Sequence, residues 1–173
     1  MLNRTGIVIL SGFATLWLIF AKVNAAPIEW SAIIVGGCFS VLLIWLSYRQ
    51  KQAPSLFPAA EQKRLARVFM WSSIGEGIGI FIVINVLVNL GMADRFMAGI
   101  ALVVGLHFIP IALKVPGRIY SLLTVILLAI SVIGFAIPSP PYAALCVGGM
   151  CALTFWAVVC ASIFVAKAHV IRE

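Results

Sequence analysis

Six apolar runs, each about 20 residues long and none alternating, decide what this chain can become. They cover residues 6–21, 31–48, 68–90, 95–113, 119–137 and 142–166. A helix of roughly 20 apolar residues crosses the hydrocarbon core of a bilayer. Inside that core every backbone amide must be paired by the protein itself, which leaves only helices or closed barrels. Barrel strands are ~10 residues long and alternate apolar with polar positions, and these runs do neither. The expected fold class is all-α: a polytopic membrane protein, a six-transmembrane-helix bundle, with residues 1–173 as one integral membrane domain. Composition agrees, since 64% of residues are hydrophobic and only 10% charged, against about 25% charged in a soluble domain.

Residues 1–25 have the layout of a secretory signal, with Arg4, an apolar stretch and Val23-Asn24-Ala25. Lys22 interrupts the approach to that cleavage motif, so residues 6–21 are read as the first span.

Charge then orients the spans. Arg4, Arg49, Lys51, Lys63, Arg64, Arg67, Lys114, Arg118, Lys167 and Arg172, ten of the 12 basic residues, fall on one side of the alternating runs. Only Lys22 and Arg95 fall on the other. By the positive-inside rule the richer side is cytoplasmic, with the N- and C-termini there. The net charge of +7 is read as topology and lipid-headgroup contact; nucleic acid is not an expected partner. The expected location is the cytoplasmic (inner) membrane of a bacterium. Trp17, Phe20, Trp45 and Tyr48 are read as interfacial rings. The longest connection is a cytoplasmic loop over 49–67, broken by Pro54 and Pro58. From Pro58 onward it turns helix-forming, with Glu61 at the positive end of the dipole, and runs into the third span as one helix. Residues 138–141, with three prolines, are expected to be loop.

Glu76 is the only acidic residue deep in an apolar run. Burying an ionised carboxylate costs of order several kcal/mol unless it is paired, so such a group defaults to a functional site. Its candidate partner is His107. Glu76 lies 16 residues before Met92 and His107 lies 15 after it. Two antiparallel helices turning at Met92 therefore hold both at one depth, ~10–14 Å from the cytoplasmic charges. Ser72 and Ser73, at i−4 and i−3, project with Glu76. Gly75 and Gly79 have the small-xxx-small spacing that lets another helix approach. Pro110 follows His107 by one turn and frees a backbone carbonyl nearby. Two readings stay open: a substrate-, proton- or cation-binding site with Glu76 titrating, or a buried pair that only fixes packing. Asn85 and Asn89 lie about 180° and 220° round the helix from Glu76. They are expected to make interhelical hydrogen bonds or to line an outer vestibule.

Cys38, Cys146, Cys151 and Cys160 lack CxxC spacing and read as packing residues. Two histidines and five acidic residues are too few for a haem pair or a His-rich centre, so no metal and no cofactor are expected. There is no GxSxG, P-loop or HExxH motif, and no catalytic residue is assigned.

The favoured function is a small transporter or channel-like protein for a small solute or ion, using Glu76 and His107. The alternatives are a non-catalytic membrane subunit or assembly factor, and a membrane-embedded enzyme acting on a lipid or isoprenoid. Six helices build a thin wall, so besides the lipid bilayer the expected partners are further copies in a homo-oligomer, or another membrane subunit. The orientation is checked by single cysteines introduced in a background lacking the native four. An impermeant thiol reagent added to intact cells should label positions 22 and 95 and spare 51 and 114; the reverse pattern inverts the topology.

Overall fold

The computed structural model of the protein describes residues 4–24, 30–49, 58–115 and 118–170, with backbone alone at 59 and 165–170. Six helices run through them: α1 (Arg4–Asn24), α2 (Trp30–Arg49), α3 (Ala59–Asn89), α4 (Phe96–Lys114), α5 (Ile119–Ala136) and α6 (Pro140–Val170). A 3₁₀ turn, Ala93–Arg95, leads into α4. All six helices are long and apolar enough to cross a membrane. Features expected at Pro27, Glu29, Lys51, Pro54, Pro116, Gly117 and Arg172 lie outside the described residues.

As expected from Pro58 onward, residues 59–67 of the 49–67 connection are the first turns of α3 and continue into the third span as one helix. Pro58 caps that helix, and its carbonyl accepts the Glu61 and Gln62 amides at 3.0 Å. Pro140 and Pro141 belong to α6, not to a loop. The first helical amides have no intrahelical partner, so proline loses nothing there. The helix closes regardless, the Ala143 amide reaching the Ser139 carbonyl at 2.9 Å.

The chain divides into two compact units, Met1–Pro54 with Gly148–Glu173, and Ser55–Val147. In the first, α1, α2 and the later part of α6 meet at Ser40. Its hydroxyl donates to the Ser11 carbonyl at 3.0 Å and accepts the Trp156 indole N–H at 2.9 Å. Its second lone pair takes the Thr15 hydroxyl at 2.8 Å, so one buried serine is fully satisfied by three groups. Glycine permits the approach. A Cβ on Gly36 would stand 2.5 Å from Leu18, and one on Gly148 would stand 2.7 Å from the Trp17 carbonyl oxygen. Trp17 is buried at 4% exposure, inside this unit and not outward at an interface. Trp45 and Tyr48 are exposed, under the Arg49 and Arg4 guanidiniums.

In the second unit α3 and α4 form an antiparallel hairpin. Gly91 ends α3 at φ +70°. Its amide bonds Val88 O, and the Met92 amide bonds Leu87 O at 2.7 Å, a Schellman closure. The positive φ favours glycine. Val83 and Leu87 press on Gly99, and Val103 presses on Gly79. Helix α5 then covers α4: the Ser131 hydroxyl donates to Ala98 O at 2.8 Å, and Gly105 faces Leu128. Arg95 closes the end of α5 by donating to the carbonyls of Gly134, Ile137 and Pro138.

Those carbonyls have no intrahelical partners, and hydrogen bonds from a charged donor contribute about 1.5–3 kcal/mol. Arg95→Met should therefore lower unfolding stability in detergent by about 2 kcal/mol. Asp94→Asn, which removes only an exposed 3.4 Å ion pair, should change it by less than about 1 kcal/mol.

Candidate functional site

Within the second unit, α3 carries Glu76 and Ser72, and α4 carries His107. The hairpin brings all three together. Glu76 Oε2 lies 3.3 Å from His107 Nδ1, with side-chain exposures of 13% and 8%. Ser72 Oγ is 2.6 Å from the His107 carbonyl oxygen and 3.3 Å from Nδ1. The positions follow from helix geometry. Ser72 and Gly79 fall about 40° and 60° to one side of Glu76, while Ser73 falls about 60° to the other. Helix α4 approaches on the Ser72 flank, where Gly79 accepts Val103. Ser73 is exposed and stands apart from the Glu76–His107 contact. Among the described residues nothing lies within 4 Å of a would-be Cβ on Gly75, so none of their helices seats on it.

The short Ser72 bond constrains the proton arrangement. A serine has one hydroxyl proton, and at 2.6 Å from the carbonyl it is committed there. Toward Nδ1 the Ser72 oxygen can only accept. A proton on Nδ1 is the arrangement that serves both Ser72 Oγ and Glu76 Oε2, with Nε2 as the variable site. The His107 carbonyl sits beside the break at Pro110, whose missing N–H leaves the Leu106 carbonyl without its helical partner. The ring of His107 is steadied edge-on by Phe108 at 4.7 Å. Phe108 in turn stacks on Tyr120 of α5.

Glu76 and His107 are not sealed. They line a groove of about 920 Å³ between α3 and α4. Its walls are largely apolar, formed by Val68, Trp71, Val103, Leu106 and Leu113, with Gly75 and Gly79 also lining it. At one end stand Arg64, Arg67 and Lys114. The sequence reading assigned these three to topology and lipid contact. The arithmetic that paired Glu76 with His107 also reaches them: Arg67 lies 25 residues before Met92 and Lys114 lies 22 after it.

Asn85 and Asn89 are both exposed, on another face of α3. Asn85 donates to the Phe81 carbonyl of its own helix at 2.7 Å, so its amide is spent locally and not on a neighbouring helix. Among the described residues no three His, Cys, Asp or Glu side chains gather as a metal site requires. No protein-family model, no curated protein and no solved structure matches the chain.

The proton arrangement is open to solid-state nitrogen spectroscopy on histidine-labelled protein in lipid. Neutral His107 should carry its proton on Nδ1; a spectrum with the proton on Nε2 contradicts the assignment. Ser72→Ala should weaken that preference and cost about 1 kcal/mol of stability, the usual contribution of one hydrogen bond.

Proposed function

We propose that this membrane protein transports a small solute or ion, with Glu76 and His107 as its proton- or cation-binding pair. The observation that carries the reading is the 3.3 Å contact of these two side chains on the wall of an open groove. A pair that only pinned α3 to α4 could be dry on every side. One that lines a groove can exchange a proton or a ligand with what enters it. An ionisable pair inside an apolar span is expensive to keep, and two hydrogen-bonding side chains of neutral type would hold the helices as well. The carboxylate and imidazole together can hold a proton in more than one place, as an imidazolium beside a carboxylate or as two neutral groups, which suits a relay. The concentration of basic residues at one end of the groove supports the cytoplasmic side as its mouth and cytoplasmic termini for the chain.

The apolar walls favour one second reading, an acid–base site acting on a lipid or isoprenoid with Glu76 and His107 as the pair.

Proteoliposomes enclosing a pH-sensitive dye test the transport reading under an imposed membrane potential. Wild-type protein should pass protons, Glu76→Gln should not, and His107→Gln should be strongly slowed. Equal flux in wild type and Glu76→Gln at every pH, or none in either, removes the proposed role.

A further inference from the structure

The three cations at the end of the groove have no role in the proton reading. Arg64 and Arg67 lie three residues apart on α3, and Lys114 closes α4 at the same level. All three line the groove. Among the described residues none of them has an ion-pair or hydrogen-bond partner. Three unpaired positive charges therefore converge from two helices on one opening, with Glu76 as the only acid among the described residues that line it.

What lies beyond the cations restricts the ligand further. A soluble anion needs polar walls for the rest of its surface. Here Trp71, Leu106 and Leu113 continue from the charged end, and they are 65%, 46% and 78% exposed. Gly75 leaves the floor open, with nothing within 4 Å of a would-be side chain. The charged end and the Glu76–His107 level are 9 residues apart on α3 and 7 on α4. That is a separation of ~10–14 Å along the helices. A groove that is cationic at headgroup depth and apolar below it matches a molecule with an anionic head and a hydrocarbon chain.

We propose that the α3–α4 groove binds an anionic amphiphile from the surrounding bilayer, with its phosphate held by Arg64, Arg67 and Lys114 and its chain laid along Trp71 toward Glu76 and His107. This rests on the groove being the binding site described above and names the class of molecule it takes. Guanidinium groups suit phosphate because they offer paired donors in one plane. The bilayer, not the aqueous phase, is the source, because the apolar walls have to be covered as well as the charges.

The test uses full-length protein in nanodiscs of phosphatidylcholine carrying a minor fraction of brominated lipid. The Trp71 signal is the difference between wild type and Trp71→Phe. Brominated phosphatidylglycerol should quench Trp71 with a preference of roughly tenfold over brominated phosphatidylcholine, the scale expected of several basic residues at a membrane surface. The combined Arg64→Gln, Arg67→Gln, Lys114→Gln variant should lose the preference, while the Arg64→Lys, Arg67→Lys variant should keep most of it. Gly75→Leu adds bulk to the groove at a position where a Cβ meets nothing within 4 Å, and should reduce quenching by both lipids. Equal quenching by the two lipids, a preference that survives removal of the three cations, or quenching indifferent to Gly75→Leu each overturns the proposal. Displacement of the lipid by inorganic phosphate overturns it too, by making a free anion the ligand. The proton-flux measurement separates the two claims: Glu76-dependent flux without lipid preference removes this one alone, and lipid preference without Glu76-dependent flux removes the transport reading alone.

Discussion

Hydrocarbon offers no hydrogen bonds, and this one constraint accounts for most of the polar geometry in the protein. Most polar side chains that pack between helices are tied to a specific partner, the buried Ser11 Oγ being an exception. Ser40 takes a carbonyl, an indole and a hydroxyl from two other helices. Ser131 reaches across to the Ala98 carbonyl. Arg95 satisfies the loose carbonyls at the end of α5. Ser72 caps the His107 carbonyl beside a proline break, and with its proton spent there it can only accept from the Nδ1 that faces Glu76. The same accounting that holds the helices together prepares the site.

Helix existence was legible in the sequence because apolar run length is a strong signal in lipid. Ends were less legible. Pro140 and Pro141 read as loop, yet proline is neutral in a first turn. The hairpin spacing about Met92 put Glu76 and His107 at one depth, and in the structure they touch at 3.3 Å. Helix rotation was not available from spacing, which is why Ser73 was grouped with Ser72. One residue of offset moves a side chain by about 100°, and only the side on which α4 lies separates the two serines. The Arg95 caps were illegible for a similar reason, since they depend on where the end of α5 falls beside the α3–α4 turn.

Glycines show the same limit. Gly75 and Gly79 have the spacing of a packing pair, but Val103 seats on Gly79 while Gly75 stays open. The absent side chain serves close approach at one position and leaves space at the other. That space is what turns a hairpin contact into a groove. Val-Gly pairs in the second, fourth and sixth spans behave more uniformly: Gly36, Gly105 and Gly148 each meet a neighbouring helix, while Gly37 and Gly149 face nothing within 4 Å.

The central claim is that Glu76 is reachable from the groove and is not locked in a dry contact. An apolar carbodiimide dissolved in the bilayer tests this directly, because it modifies a protonated carboxyl that it can touch. Peptide mapping by mass spectrometry should find the adduct at Glu76, formed more slowly as pH rises and more slowly again in Gly75→Leu. A folded wild-type protein whose Glu76 stays unmodified across that pH range would contradict the account.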